Sequence, residues 1–219
     1  MALEAMKIRA AIAACLIAVG ALTQAHAERT LKPVDQAATR ADFYAFRAQL
    51  QAAIARRDAG ALLAGVDRNI RNSFGDNNGV DAFRQIWEPE DRRSRVWEVL
   101  GEVLALGGSF DREGSFVAPY VFSRWPRDAD AFTHAAILGA SVPVRAAASP
   151  SSPVAASLSF SIVEQIESRG ADESWVQIRL PRGKTGFVDR RFIRSPVDYR
   201  AIFSKRDGKW KMTAFLAGD

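Results

Sequence analysis

The stretch Tyr199-Arg200-Ala201-Ile202-Phe203-Ser204-Lys205-Arg206-Asp207-Gly208-Lys209-Trp210-Lys211-Met212-Thr213-Ala214-Phe215-Leu216 reads as a β-hairpin. Asp-Gly between two runs of alternating polarity is a two-residue turn signal, because both central residues of a type I′ turn need positive φ. Centring the loop there pairs Phe203 with Met212, Ala201 with Ala214 and Tyr199 with Leu216. These residues and Trp210 then share one face, so turn chemistry and hydrophobic pattern select the same register. The opposite face carries Arg200, Ser204, Lys211 and Thr213 and is wetter.

Upstream of the hairpin, from Ala136, short alternating runs are separated by turn signals, the texture of a small β-barrel or sandwich. The runs are Val142-Pro143-Val144-Arg145, Ser161 to Ile166, Trp175 to Leu180 with Val176, Ile178 and Leu180 on one face, and Gly186-Phe187-Val188-Asp189. Ser149 to Pro153, Gly170 to Glu173 and Arg182-Gly183-Lys184 are the turns. Residues 139–194 resemble a bacterial SH3-like domain. Its matching signature here is the strand Val142 to Arg145, the Ser/Pro segment Ser149 to Val154, the strand led by Trp175, and Gly183-Lys184-Thr185-Gly186-Phe187-Val188. The family's usual Gly-Trp-Val is Gly-Phe-Val in this chain, and Arg145 is followed by Ala146-Ala147-Ala148 without the usual glycine. The resemblance implies a wall-targeting or partner-binding module and no catalysis.

Between residues 39 and 106 the period is helical. Thr39 with Asp42 three residues on is a capping-box signature, and Phe43, Phe46, Leu50 and Ile54 form one apolar stripe with Arg47, Gln51 and Arg57 off it. Asp58 caps a second helix carrying Leu62, Leu63 and Val66. After the turn-rich loop Ser73 to Gly79, Val80, Phe83, Ile86 and Trp87 share a face, and Pro89 ends that helix. A fourth amphipathic segment, Ser94 to Leu106, places Trp97, Leu100, Val103 and Leu104 inside and Glu98 and Glu102 outside. Phe116 to Trp125 is strand-like. The helices, the Ser73-Phe74-Gly75 loop and the terminal hairpin also faintly resemble the cone-shaped folds of the nuclear-transport-factor superfamily. In those folds helices pack on a curved sheet, and here the strands expected between helix and hairpin are missing from the periodicity.

At the N-terminus, Lys7 and Arg9 precede an apolar run, Ala10 to Leu22, that closes on Ala25-His26-Ala27. This is the pattern of a secretory signal peptide cleaved after Ala27, and the run is shorter than the roughly 20 residues a spanning helix needs. An uncleaved anchor is the alternative. The expected organisation is therefore α+β: a signal peptide at 1–27, a flexible lead-in at 28–38 and a small, mainly helical N-terminal unit at 39–135. An SH3-like β-barrel at 136–196 follows, and a C-terminal β-hairpin at 197–219 packs on the barrel. Cleavage places the chain in the periplasm or outside the cell, with no transmembrane segment left.

The chain has 219 residues, 48% hydrophobic and 25% charged, with one cysteine, Cys15, and two histidines, His26 and His134. Cleavage removes Cys15 and His26, which excludes disulfides, thiol nucleophiles and Cys-based zinc sites from the mature protein. His134 is left as a structural histidine ahead of a general base, with no Gly-x-Ser-x-Gly elbow to serve. Glu98 and Glu102 lie four apart on a solvated helix face, and Asp76, Asn78 and Asp81 lack the spacing of a calcium loop. No cofactor is expected.

Charge is asymmetric: Trp175 to Asp219 carries a net +7, and Glu28 to Ser174 a net −3. Such a field draws anionic surfaces, unless the basic end docks on the acidic part of its own chain. The expected function is a non-catalytic binding module of the cell envelope with an anionic partner, either peptidoglycan or a protein. Trp175, Phe187, Arg190 and Arg191 are the expected contact surface, since an aromatic beside guanidinium groups suits carboxylate-bearing peptides; the barrel core is an equal alternative for Trp175. The alternative is a cell-wall hydrolase with carboxylates at Glu98 or Asp111. Nucleic acid conflicts with export.

Overall fold

The computed structural model describes residues 29–166 and 174–218, so the signal segment and the turn at 170–173 lie outside the described residues. The architecture is α+β. Helix α1 (Ala41–Arg56) buries Phe43 and Leu50 and half-buries Phe46 and Ile54, the stripe its spacing predicts. Its start differs from the expected capping box. The N-cap is Arg40, without a side-chain cap, and Thr39 donates instead to the Gln36 carbonyl within a preceding turn. Arg47 is not off the stripe either: it is buried, with its guanidinium 2.8 Å from Asp35, which compensates a charge that burial would otherwise penalise.

Asp58 caps helix α2 (Ala59–Ala64), accepting from the Ala61 N–H. The helix stops before Val66, which opens strand β1 (Val66–Arg71). Helix α3 (Val80–Trp87) buries Phe83 and Trp87 but leaves Ile86 exposed, and helix α4 (Val96–Ala105) buries Trp97, Leu100, Val103 and Leu104. Strands β2 (Ser109–Phe110) and β3 (Phe116–Ala118) follow. The strand expected to reach Trp125 ends at Pro119, and Tyr120–Ser123 form a short helix, α5. A proline has no N–H to offer a ladder.

Strands β4 (His134–Ile137), β5 (Val142–Arg145), β6 (Val154–Leu158), β7 (Ile162–Glu164), β8 (Trp175–Arg179), β9 (Thr185–Asp189) and β10 (Ile193–Arg194) come next. They lie in a four-stranded sheet ordered β6-β5-β9-β8 and a three-stranded sheet ordered β10-β4-β7, not in one closed barrel among the described residues. A bridge between Gln165 and Ile178 links the two sheets. One core fills the space between them, with Ile137, Val142, Val144, Val176, Ile178, Leu180, Val188 and Ile193 buried.

The terminal hairpin consists of β11 (Arg200–Arg206) and β12 (Lys209–Leu216). Asp207 and Gly208 both have positive φ, 49° and 76°, as the turn type requires. Phe203 faces Met212 as expected, but the register then shifts, so that Ile202 pairs with Ala214, Ala201 with Phe215 and Arg200 with Leu216. Thr213 is the extra residue, and the shift brings Phe215 into the core, where it is 1% exposed.

The hairpin does not pack on the barrel segment. It is the middle of a five-stranded sheet ordered β1-β12-β11-β3-β2, with β1 parallel to β12 and the other neighbours antiparallel. Aromatic content explains the placement. Phe203, Trp210, Met212 and Phe215 complete a core with Phe43, Phe83, Trp87, Trp97 and Phe116 from the N-terminal unit. The N-terminal unit is thus a helix-on-sheet body closed by the C-terminus, with residues 134–194 inserted between β3 and β11. The lead-in is a strap rather than a flexible tether. Thr30 bridges Ser161, Asp35 bridges Gly108, and Leu31 is buried with Tyr120, Val121 and Ala136 where the two bodies meet.

Candidate binding surface

In the four-stranded sheet, strand alternation sends Val176, Ile178, Val188 and Val144 inward. It therefore sends Trp175, Gln177, Phe187 and Arg145 to the other face. The register sets Trp175 opposite Asp189, Gln177 opposite Phe187, and Phe187 opposite Arg145. Arg145 is in turn opposite Val154, which is 55% exposed. Trp175 and Phe187 are diagonal neighbours, both half-buried, on one outward face. Trp175 is therefore not part of the inner core, the other position open to it from sequence.

Arg190 and Arg191 lie in the turn Arg190–Phe192 that leaves β9. The Arg190 N–H donates to the Ser174 carbonyl at 2.8 Å, fixing this turn beside the start of β8. Arg191 has a commitment that the sequence does not reveal. Its Nη2 donates to Asp189 Oδ2 at 2.7 Å and its Nε to Oδ1 at 3.0 Å, a two-pronged clasp. The Arg191 side-chain hydrogen bond holds the Asp189 carboxyl below its usual range. A ligand carboxylate must displace Asp189 to gain that fork, so Arg191 contributes position more than free charge.

The charge asymmetry is also partly consumed within the chain. Lys205 reaches Asp42 at 2.7 Å, Arg206 reaches Asp67 at 3.6 Å and Arg194 reaches Glu102 at 3.9 Å. Basic residues of the C-terminal stretch thus meet acids of the N-terminal unit. Arg182 and Lys184, exposed in the turn between β8 and β9, make no ion pair among the described residues.

The carboxylates considered for hydrolysis do not form a cleft pair. Glu98 is exposed on α4 and Glu102 faces Arg194, while Asp111 accepts the Glu113 and Ser115 N–H groups in a tight turn. Each described carboxyl whose proton affinity departs from the ordinary moves downward. Asp42 does so chiefly through Lys205, Glu90 through backbone N–H, Asp130 through the Phe132 N–H, and Asp189 through Arg191. His134 Nδ1 lies 2.9 Å from the Thr133 hydroxyl. Asn78, in the loop considered for calcium, uses its side chain to close the turn on Asn72 and Gly75. Among the described residues no three His, Cys, Asp or Glu side chains converge as metal ligands, and no helix is long and apolar enough to cross a membrane.

The depressed Asp42 and Asp189 carboxyls predict acid sensitivity. Each binds a proton less readily folded than unfolded, so its contribution is present above the ordinary carboxylate pKa of about 4 and is lost as pH falls through the lower folded value. Chemical denaturation followed from about pH 6 to 3 should show declining stability, with a shallower decline in Asp42→Asn.

Compared with protein-family models, curated proteins and solved structures, the chain matches none.

Proposed function

We propose that the chain is an exported, non-catalytic binding protein of the cell envelope, in which residues 136–196 are an SH3-like module that recognises a wall peptide, a glycan or a protein partner. One observation carries this reading: the half-exposed pair Trp175 and Phe187 on the outward face of the four-stranded sheet. Aromatic side chains that are not needed to fill a core are the usual anchors of binding surfaces. Arg182 and Lys184, exposed in the turn between β8 and β9, border the same sheet and supply positive charge that an anionic partner meets. Arg191 is held back by Asp189.

The helix-on-sheet body serves as the scaffold. Helices on a five-stranded sheet support its likeness to the cone-shaped folds of the nuclear-transport-factor superfamily, since β1, β2 and β3 supply strands that the periodicity conceals. Export places the protein in the periplasm or outside the cell, with the signal segment cleaved after Ala27.

Co-sedimentation of the cleaved chain with purified sacculi at low and high salt tests the reading. An aromatic anchor with modest free charge predicts retention at both, reduced at high salt. Absence from the pellet at low salt would remove the wall as partner.

A further inference from the structure

We propose that the strap at residues 29–36 is a latch: docked, it fixes the inserted module against the helix-on-sheet body, and undocked, it lets the module swing as a folded unit. The inference does not depend on what the module binds.

The strap is one extended segment paired at both ends. On the module side, the Leu31 N–H donates to the Phe160 carbonyl and the Ile162 N–H to the Arg29 carbonyl, each at 2.7 Å, on either side of the Thr30–Ser161 bridge. On the body side, the Gly108 N–H donates to Val34 and the Gln36 N–H to Gly108, while the Gln36 side-chain carbonyl accepts from the Phe110 N–H, all at 2.9 Å. Both attachments fall at terminal strands, since β7 ends the three-stranded sheet and β2 ends the five-stranded one. Exposed Lys32 and Pro33 span the step between them. Arg29 also reaches the Asp128 carbonyl at 3.0 Å and its carboxylate at 3.1 Å. The strap thus serves as an added edge strand to two sheets that do not otherwise pair among the described residues.

The docked junction carries a cost of its own. Leu31 and Val34 share one small cluster with Leu106 and Tyr120 of the body and Ala136 and Ile162 of the module. Tyr120 is 1% exposed there, and its hydroxyl has no hydrogen-bond partner. Arg194 on β10, whose Nη1 lies 3.9 Å from Glu102 on α4, has a buried Nε that is equally without one. A buried polar group without a partner has lost its water and gained nothing in exchange. Parting the bodies returns water to both groups. It dismantles neither large core, because the two share no residue. Strand pairing and the burial of Leu31 favour docking, and the two stranded polar groups favour release, which makes the junction a two-state element. The few hydrogen bonds that hold the strap place its opening at the low end of the local stabilities in one fold.

Native-state hydrogen exchange on the full chain reads the latch directly. The Leu31, Gly108 and Ile162 amides should exchange through one common opening, about tenfold or more faster than the amides of β9 and β12. Thr30→Cys with Ser161→Cys, in a Cys15→Ser background and oxidised, pins the strap and should slow Leu31 and Ile162 about tenfold. Leu31→Asp should remove the protection of Gly108 and Ile162 and leave β9 and β12 as they were. Spin labels at Gln85→Cys on α3 and Ser157→Cys on β6, both exposed, then report the swing. With Cys15→Ser and Leu31→Asp, the distribution of distances between them should become about twice as wide. Exchange of the three amides only at the rate of β9 or β12 in the parent chain overturns the latch. So does loss of β9 protection in Leu31→Asp, which would make the strap part of the module's own fold, or an unchanged distance distribution in that variant.

Discussion

Phe203→Ala is expected to destabilise the helix-on-sheet body by about 3–5 kcal/mol, the cost of deleting a buried phenylalanine ring and leaving its cavity. Phe203 is fully buried at the centre of the five-stranded sheet, between Met212 on β12 and Phe116 on β3. Its ring lies 5.7 Å from Phe43, 5.9 Å from Phe46 and 6.5 Å from Phe116, so it joins α1 to the sheet. Against a typical total stability of about 5–15 kcal/mol the loss is large. Where the loss falls is as informative as its size. The core of the inserted strands, around Val144, Ile178 and Val188, shares no residue with the core around Phe203. Hydrogen exchange should therefore speed up together in β11, β12, α1 and α4 and change little in β5, β8 and β9. Loss of protection in β5, β8 and β9 with α1 unaffected would place the hairpin on the wrong body.

Gly108→Ala is expected to cost more than about 3 kcal/mol, beyond the usual range for one added methyl group in a packed site. A Cβ at this position would lie 2.2 Å from the Val117 carbonyl oxygen and 2.9 Å from the Phe116 ring. Neither can yield cheaply, because one is backbone of β3 and the other is a fully buried side chain. The same glycine holds the strap: its N–H donates to Val34 and its carbonyl accepts from Gln36, each at 2.9 Å. The variant should lower the melting temperature and raise proteolysis near residues 31–36. A melting temperature within a degree or two of the parent would contradict the close approach of strap and sheet.

Local patterns were readable from the sequence. The stripe Phe43–Phe46–Leu50–Ile54, the Asp58 cap, the buried face of α4 and the Asp207–Gly208 turn each follow from side chains within about one turn or one strand of one another. What was not readable depends on distant partners. The hairpin's turn sets its own pairing but says nothing about which sheet it enters. That is decided by Phe43, Phe116 and Trp97, far away in sequence. Arg47 looks like a solvent residue until Asp35 is placed against it, and Arg191 looks like a free guanidinium until Asp189 clasps it. The bulge at Thr213 is invisible to alternation because strict alternation assumes no extra residue. For the outward sheet face, the sequence left Trp175 open between that face and the core; the register across β8, β9, β5 and β6 sets it diagonal to Phe187, with Arg145 and Val154 next in line.

The functional account rests on that outward face, and one measurement addresses it most directly. Trp175→Ala combined with Phe187→Ala removes both aromatics, while the inward Val144, Val176, Ile178 and Val188 that hold the sheet are untouched. With folding verified by an unchanged far-ultraviolet circular dichroism spectrum, sedimentation with purified sacculi is compared with the parent at high salt, where surface charge is screened. The account predicts that the parent pellets and the double variant stays in the supernatant. Equal pelleting of a folded double variant would contradict it.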